Sequence, residues 1–357
     1  MSGEKRPAPE LFGSTQLVKR QKSSSNLKSD ALVKASGNGA LIQQGGRGAA
    51  GLQAPVMELS GHSGEIFCAR FDPTGAHIAS GSMDRSILLW NTSGECANYR
   101  LLTGHKSAVL DLQWSRDSQV LYSAGADAHV SSWNVETGER IRRHVGHEEV
   151  INCLDVSRRG EEFLASGGDD GSISLWDPRQ KAAIDYIETD YPITALCLGD
   201  AGGNELFSGA VDNIIQVWDL RMKKTVYSLT GHADTITSLT ISPDGQTLLS
   251  NSHDSTVRTW DVRPFAPEDR SVRTLDGAQA GLEKNLIRAC WDPSEGKRVA
   301  VGGGDGTATV WDVQSGRLLH KLPGHKGTVN DVRISPDGSM ILSASTDKTM
   351  LLGELPR

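Results

Sequence analysis

Short runs of alternating apolar and polar residues, separated by turn sequences, make up most of the chain beyond residue 55. Alternation with a period of two is typical of half-buried strands, and the runs are too short for helices. In the first unit the pattern predicts strands over 66–71, 77–80, 86–90 and 98–102. A Pro-x-Gly turn follows the first strand at 72–75, and the same turn recurs at 242–245 and 335–338. The chain is therefore predicted to be all-β, in units of four strands.

The units repeat, and an aspartate marks each of seven copies. Successive aspartates are 43, 43, 42, 42, 51 and 42 residues apart, so the copies cover essentially all of residues 55–357. A tryptophan stands six residues after six of them, and a Gly-His pair precedes five of them. The seven aspartates are Asp84, Asp127, Asp170, Asp212, Asp254, Asp305 and Asp347.

Units of this length with Gly-His and Trp-Asp marks resemble the repeats of the WD-repeat family. The resemblance implies a seven-bladed β-propeller over 55–357, in which the His, Ser, Asp and Trp of one blade form a hydrogen-bonded tetrad that braces the strands. A buried aspartate needs such partners, because an unpaired carboxylate is costly to bury. By resemblance the structural tetrads are His62, Ser80, Asp84 and Trp90; His105, Ser123, Asp127 and Trp133; His147, Ser166, Asp170 and Trp176; and His232, Ser250, Asp254 and Trp260.

Three blades depart from this pattern. The fourth has Thr189-Asp190 in place of Gly-His, and the seventh has Gly353 in place of tryptophan. The sixth has Val301 in place of serine and lacks the histidine. We expect these blades to be less rigid or to be held by other contacts. The segment 55–59 stands where an outer strand would stand, and the last unit lacks one, so we expect this segment to close the seventh blade.

Charge divides the chain into two unlike parts. Residues 1–54 hold eight Lys or Arg and three Asp or Glu, which gives a net charge of +5. The whole chain has a net charge of −7, so residues 55–357 carry −12. Residues 1–54 are rich in Ser, Gly and Gln and cannot bury enough apolar surface to fold, so we predict that they form a disordered basic arm. Two basic pairs in it resemble a two-part nuclear localisation signal, although a solvated basic tail is an alternative. The residues of the predicted signal are Lys5, Arg6, Lys19, Arg20 and Lys22.

Recurrent histidines and aspartates raise the question of catalysis or metal binding. They are 22 or 23 residues apart in every intact unit, and a structural role explains such repetition better than an active site, which occurs once. The sequence has no nucleophile-elbow, P-loop or zinc-protease motif, and its five scattered cysteines lack metal-binding or disulfide spacing. No apolar run is long enough to span a membrane. We therefore expect no enzyme activity, cofactor, metal, small-molecule substrate or membrane contact.

A propeller acts by docking partners through its loops, and two sets of loops are candidates. The wide spacing between Asp254 and Asp305 places about eight or nine extra residues between 263 and 286, where Phe265 is a candidate unless the insertion is only a tolerated extension. The loops after Gly-His differ between units, and their candidates are Glu65, Lys106 and Glu149. Because the ring is acidic, we expect any RNA contact to be indirect or minor.

Several irregular segments resemble the WD-repeat proteins of the spliceosomal U5 small nuclear ribonucleoprotein. They are residues 53–57, 177–184, 261–267 and 283–288, together with the Gly353-Glu354 ending. The resemblance implies a nuclear, non-catalytic scaffold of pre-mRNA splicing. It also implies spliceosomal proteins as partners, especially the large central protein of that particle.

A second resemblance leaves an alternative open. Three Trp-Asp-x-Arg boxes resemble those of substrate receptors of cullin-four ubiquitin ligases. Arginine at this place can equally pair with a neighbouring carboxylate on the rim of the ring. The three arginines are Arg179, Arg221 and Arg263.

Overall fold

A computed structural model describes residue 52 and residues 54–199, 204–267 and 269–355, and it contains twenty-eight strands. They form seven four-stranded antiparallel sheets, of which six are meanders of consecutive strands and the seventh has the first strand beside the last three, in the order 1-28-27-26. The innermost strands are β2 (Ile66–Phe71), β6 (Val109–Trp114), β10 (Ile151–Val156), β14 (Ile193–Leu198), β18 (Ile236–Ile241), β22 (Ala289–Trp291) and β26 (Val329–Ile334). The second strands are β3 (His77–Ser82), β7 (Val120–Gly125), β11 (Leu164–Gly168), β15 (Glu205–Ala210), β19 (Thr247–Ser252), β23 (Arg298–Gly302) and β27 (Met340–Ser345).

The two outer positions of each sheet complete the blades. The third strands are β4 (Ser86–Asn91), β8 (His129–Asn134), β12 (Ser172–Trp176), β16 (Ile215–Asp219), β20 (Thr256–Asp261), β24 (Thr307–Asp312) and β28 (Thr349–Glu354). The outermost strands are β5 (Asn98–Thr103), β9 (Arg140–Val145), β13 (Asp185–Glu188), β17 (Lys224–Leu229), β21 (Ser271–Asp276), β25 (Leu318–Pro323) and β1 (Val56–Ser60). We number the blades 1 to 7 in the chain order of their innermost strands.

The seven blades form a closed ring. Each innermost strand contacts the innermost strand of the next blade, and β26 of blade 7 contacts β2 of blade 1. In blade 7, β1 pairs with β28 in antiparallel register from Val56–Gly353 to Ser60–Thr349. The predicted all-β, seven-bladed propeller is thus confirmed. The predicted basic arm and nuclear signal lie outside the described residues, apart from Leu52 and Ala54.

The hydrophobic core lies between neighbouring blades rather than inside any one of them. One cluster, for example, joins Leu342 and Leu352 of blade 7 to Ile66 and Ile78 of blade 1. Leu59 of the closing strand is buried in the same cluster. Because each sheet buries both faces against its neighbours, no blade can form its core alone.

The loops alternate between two faces of the ring, as they must in an antiparallel meander. The Gly-His loops join one blade to the next and lie on the same face as the turns that carry the marker aspartates. The other face carries the Pro-x-Gly turns and the turns that follow Trp-Asp. The insertion of blades 5 and 6 is divided between both faces, because 262–270 lies on the second face and 277–288 on the first.

Blade 6 contains a run of three glycines, Gly302-Gly303-Gly304, that packs against the inserted loop. The amide of Gly304 donates to the carbonyl of Gln279, and a Cβ on Gly304 would lie 2.4 Å from the Cα of Gly281. A side chain cannot fit there, so close backbone approach explains this glycine.

Candidate functional site

The structure brings the predicted tetrad side chains together in blades 1, 2, 3 and 5. In these blades His Nδ1 lies 2.8–3.1 Å from an oxygen of the marker aspartate. His Nε2 lies 2.6–2.8 Å from Ser Oγ, and Trp Nε1 donates to the same Oγ over 2.8–2.9 Å. Since the carboxylate only accepts, Nδ1 carries the proton, and the serine donates to Nε2 while it accepts from the indole. The imidazole nitrogens, the serine hydroxyl and the indole N–H of each tetrad therefore all have suitable partners.

The marker aspartate also joins two loops of its face. In blade 1, Asp84 accepts the amide of Ser63 in the Gly-His loop and the amide of Ser86 in its own turn. Burial alone would raise its pKa, but hydrogen bonds from Ser86, His62 and Ser63 outweigh burial and lower the pKa of Asp84 below its ordinary value. The same balance lowers the pKa of Asp127 and of Asp254 to about 2. These carboxylates are therefore ionised structural acceptors and not proton donors.

The residue after each marker aspartate has a positive φ in all seven blades. These residues are Arg85, Ala128, Gly171, Asn213, Ser255, Gly306 and Lys348, with φ between 62° and 76°. Only two are glycine, although this region is unfavourable for other residues. The aspartate holds the turn against that cost, because its carboxylate accepts the amide two residues further on, as at Ser86 and Thr349.

The irregular blades replace the tetrad in different ways. In blade 4, Trp218 still donates to Ser208, while the hydroxyl of Thr189 donates to the carbonyl of Gly171 in blade 3. In blade 7, His325 bonds Asp347 and Ser343 over 2.9 Å, without a tryptophan.

Blade 6 exchanges the polar chain for apolar packing. Ala278 and Val301 are buried at the histidine and serine positions. With both polar partners gone, the indole of Trp311 donates to the carbonyl of Asp276. The buried indole N–H is thereby satisfied by backbone, which shows how the blade is held without histidine or serine.

The partner-binding candidates of the Gly-His loops lie together on the first face, in the loops that lead into blades 1, 2 and 3. Lys106 and Glu149 are exposed and Glu65 is half-buried. The backbone under these side chains is fixed, since the amide of Lys106 donates to Asp127 and the carbonyl of Glu65 accepts from Met83. They are solvated side chains on a rigid base.

The other candidates lie on the second face. Phe265 is 99% exposed, at the tip of the inserted turn after blade 5's Trp-Asp. The amides of Arg179, Arg221 and Arg263 each donate to the aspartate of their own Trp-Asp pair, over 2.8–3.0 Å. The guanidinium of Arg263 also donates to both carboxylate oxygens of Asp261, which is the local pairing considered as an alternative for these boxes.

Two of these arginines border one groove between blades 3 and 4. Arg179 and Arg221 line a cavity of about 400 Å³ whose apolar walls include Phe163, Ile184 and Leu220. Arg263 and Phe265 line a separate groove beside blade 5. The structure therefore does not bring all four second-face candidates into one site.

The centre of the ring contains a site that the sequence patterns did not reveal. Arg288 precedes the innermost strand of blade 6, and its guanidinium crosses to blades 2 and 3. It donates to Asp111 Oδ2 over 2.7 Å and to the carbonyls of Leu110 and Asn152. Burial acts to lower its pKa, but the carboxylates of Asp111 and Asp331 outweigh burial and hold the pKa of Arg288 above its ordinary value.

A belt of hydrogen bonds surrounds this arginine. A side chain of one innermost strand accepts a backbone amide of the next, as in Ala69 to Asp331 and Leu154 to Asp111. Aligning the repeats would have shown the signal, because Arg288 occupies the position held elsewhere by Cys68, Asp111, Cys153, Ala195, Ser238 and Asp331. One long cation among small or acidic residues marks a cross-ring contact.

Other classes of site need clustered metal ligands or a long apolar helix among the described residues. Within them, no three His, Cys, Asp or Glu side chains are grouped so that they could hold a metal ion. The same part of the chain has no helix with the length and apolar character needed to cross a bilayer. All five cysteines are buried and unpaired, and burial raises the pKa of Cys197 and Cys290 to about 12, so these thiols are not nucleophilic.

Comparison with known sequences finds two matching families and several relatives that are similar along most of the chain. The family described as nucleolar protein 10-like, N-terminal domain matches residues 76–264, and the WD domain, G-beta repeat family matches 53–91, 269–312 and 316–352. The chain is 42% identical over 328 residues to the U5 small nuclear ribonucleoprotein 40 kDa protein of Dictyostelium discoideum, with 92% of each chain covered.

Two further relatives are similar over nearly as much of the chain. The human U5 small nuclear ribonucleoprotein 40 kDa protein is 44% identical over 317 residues, which cover 89% of this chain and 88% of the relative. The pre-mRNA-splicing factor cwf17 of Schizosaccharomyces pombe is 44% identical over 304 residues, with coverages of 85% and 88%.

Proposed function

The chain belongs to the WD-repeat β-propeller family that includes the U5 small nuclear ribonucleoprotein 40 kDa proteins, and from this membership we propose its function. It is a component of the spliceosome that acts in pre-mRNA splicing, and it therefore acts in the nucleus. The observation that carries this conclusion is identity above 40% over 85–92% of the chain to U5 small nuclear ribonucleoprotein 40 kDa proteins and to a pre-mRNA-splicing factor.

Within the spliceosome the protein acts as a non-catalytic scaffold. WD-repeat propellers are typically interaction platforms, and the repeated His and marker Asp side chains of blades 1, 2, 3 and 5 are engaged in structural tetrads. Its partners are spliceosomal proteins, and the one that we propose in particular is the large central protein of the U5 particle. Contact with RNA is indirect or minor, because the ring carries −12 charges.

Affinity purification tests this function directly. The chain is tagged, purified from nuclear extract, and its companions are identified by mass spectrometry and RNA sequencing. We expect U5 proteins, the large central protein and small nuclear RNA. Recovery of a cullin adaptor without spliceosomal proteins would instead support the ubiquitin-ligase alternative. The pairing of Arg263 with Asp261 within its own box does not favour that alternative.

The insertion offers a matched pair of variants for locating the contact. Phe265 and Leu282 are both fully exposed, and they lie on opposite faces of the ring. We propose Phe265 as a partner anchor, so Phe265→Ser should reduce recovery of the large protein about tenfold or more, as loss of an aromatic anchor does. Leu282→Ser is the control for loss of an exposed apolar side chain; equal recovery with both variants would remove Phe265 as the anchor.

Charge reversal and truncation separate the remaining proposals. Replacing Arg179, Arg221 and Arg263 by Glu should leave the spliceosomal companions unchanged, and a selective loss of a cullin adaptor would establish the alternative contact. Deleting residues 1–30 should weaken nuclear accumulation of a fluorescent fusion if Lys19, Arg20 and Lys22 form an import signal. Unchanged localisation would show that the arm carries no such signal.

A further inference from the structure

The first face of the ring is strongly acidic over blades 3 and 4. Four segments form this part of the face: 146–150 and 188–192, which lead into the two blades, and 168–172 and 210–214, which carry their marker aspartates. We call them the acidic sector. They contain no Lys or Arg and seven acidic residues, namely Glu148, Glu149, Asp169, Asp170, Glu188, Asp190 and Asp212.

This charge is not a general property of the fold, because the matching segments of blades 1, 2 and 7 do contain cations. Those cations are Arg85, Lys106, Lys326 and Lys348.

Hydrogen bonds hold the four segments against one another. The amide of Glu148 donates to Asp170 over 3.0 Å, which joins the two segments of blade 3. Thr189 donates from both its amide and its hydroxyl to the carbonyl of Gly171, which joins blade 4 to blade 3. The antiparallel pairing of β14 with β15 places the loop that leads into blade 4 beside the marker turn of that blade. The acidic sector is therefore one continuous surface on a fixed backbone.

Four of the seven carboxylates are exposed and unpaired. Within the described part of the chain their side chains have no hydrogen bond or ion pair, and they are those of Glu148, Glu149, Glu188 and Asp190. Asp169 and Asp170, in contrast, accept hydrogen bonds from Asn152 and His147. Lys284, which lies beside the loop that leads into blade 5, is already paired with Asp234. The sector therefore keeps a net negative charge at its surface.

Blade 4 adds a carboxylate without a cation and two exposed apolar side chains. Among the described residues, each of the six other marker aspartates contacts a His or Lys side chain. Asp212 accepts only the amide of Ile214 in its own turn, because blade 4 lacks the histidine. Its neighbour Val211 is 43% exposed, and Tyr191 in the preceding loop is 48% exposed. Apolar surface and unpaired carboxylates thus occur together.

We propose that the acidic sector binds an arginine side chain presented by an extended segment of a protein partner. A guanidinium can stack on the ring of Tyr191 while it pairs with Asp190 and Asp212, and arginine combines these two contacts better than lysine does. Charge complementarity favours this occupant, because the sector is negative and belongs to an acidic ring. RNA is repelled for the same reason. A metal ion is not favoured, because no three acidic side chains of the described residues are grouped to hold one.

A partner protein is a better occupant than the basic N-terminal residues of this chain. The chain enters the ring on the second face, where Leu52 bridges Gly94 in blade 1, whereas the acidic sector lies on the first face. The inference goes beyond the proposed function, since it does not depend on which particle carries the protein. It is also separate from the proposed anchor Phe265, which lies on the opposite face.

The test uses the full chain and defined probes. An array of nine-residue peptides with a fixed central Arg and varied flanks is probed with labelled protein, beside the same array with central citrulline, which has a similar shape without the charge. Binders are then measured by fluorescence anisotropy, and a peptide of residues 1–30 is measured in parallel. We expect binders mainly in the Arg array, at least tenfold loss on exchange of Arg for citrulline, and weaker binding with added salt.

A pair of double variants tests the charge of the sector. Glu149→Gln with Asp190→Asn removes two exposed charges from the sector and should weaken peptide binding about fivefold or more. Glu136→Gln with Glu139→Gln is the matched control, because it removes two exposed charges from the second face. This control should bind as the unaltered chain does.

A pair of single variants tests the apolar part of the sector. Tyr191→Ser should weaken peptide binding about tenfold, as loss of an aromatic anchor does. Met83→Ser is the control, because Met83 is an exposed apolar side chain on the same face in blade 1, and it should leave the affinity unchanged. Melting temperatures establish that all four variants are folded.

Three results would overturn the proposal. They are equal binding of Arg and citrulline peptides or no binding to either array, unchanged affinity of either sector variant, and binding of the 1–30 peptide that is tighter than that of every array peptide and is lost in the sector variants. The last result would assign the acidic sector to the N-terminal residues of this chain in place of a partner.

Discussion

Replacing the arginine that crosses the ring should weaken the whole propeller. Arg288→Met keeps the aliphatic stem and removes three hydrogen bonds, to Asp111 and to the carbonyls of Leu110 and Asn152. It also leaves Asp111, which is 1% exposed, with less compensation for its charge. Breaking a buried ion pair costs about 3–5 kcal/mol, and we expect the lower end because Arg70 still contacts Asp111.

This loss should be visible in both chemical and thermal unfolding. A decrease of about 3 kcal/mol lowers the melting temperature of a chain of this size by about 6 °C. Arg317→Met is the control for loss of an exposed arginine, and it should change the free energy of unfolding by less than about 0.5 kcal/mol. Urea midpoints and calorimetry measure the difference in stability. The calorimetry is run at several scan rates, because large proteins often unfold irreversibly and their melting temperature then depends on the scan rate.

A second substitution tests the reason for the loss. Asp111→Asn removes the charge that Arg288 compensates, yet its amide oxygen still accepts from Leu154. The double variant should therefore be less destabilised than the sum of the single variants, with a coupling energy of about 1–3 kcal/mol. Strict additivity, or a loss below about 1 kcal/mol in Arg288→Met, would refute the account of Arg288 as a strut between blades.

Three further predictions concern the blades. Lys348 has a φ of 73°, so Lys348→Gly should raise the free energy of unfolding by about 0.5–1 kcal/mol, and a lower melting temperature would contradict the assigned strain. Burial lowers the pKa of His232 in the folded protein, so the contribution of this histidine to stability is present at pH 7.5 and is lost as the pH falls below 6.5. The difference in melting temperature between the unaltered chain and His232→Asn should therefore be smaller at pH 5.5 than at pH 7.5. Deleting residues 1–60 should lower the melting temperature by more than 10 °C or cause aggregation, because β28 loses its partner strand, whereas deletion of 1–45 should have no such effect.

Local repetition explains why so much of the ring was predictable. A tetrad such as His62, Ser80, Asp84 and Trp90 lies within one repeat, so its spacing is visible in four complete copies and in part in the other three. The strand pattern has a period of two and needs no distant partner to be recognised. The same reasoning predicted the place of the insertion, because an altered spacing between Asp254 and Asp305 is itself a sequence signal.

Contacts across the ring were not predictable in this way. Arg288 and Asp111 occupy the same position in their repeats but are 177 residues apart, so aligned repeats mark Arg288 as unusual without identifying its partner. A backbone group that takes over the role of a side chain also leaves no signal in the sequence. In blade 6, Trp311 donates to the backbone carbonyl of Asp276, and that carbonyl is present whichever residue stands there. The division of the insertion between two faces follows from strand ends, which sequence patterns place only within a few residues.

The pairing of the first strand with the last imposes an order of events during synthesis. Met57 opposes Leu352, so partners about 300 residues apart in the chain must meet before blade 7 is complete. At about 5–20 residues per second, β1 waits on the order of 15–60 seconds on the ribosome without its partner. During that time Leu59 has no core to enter, and six blades can only stack as an open arc. Among the strands of the ring, the one that closes it is thus the first to be synthesised and the last to be paired, so its apolar residues stay uncovered until synthesis of blade 7 is complete.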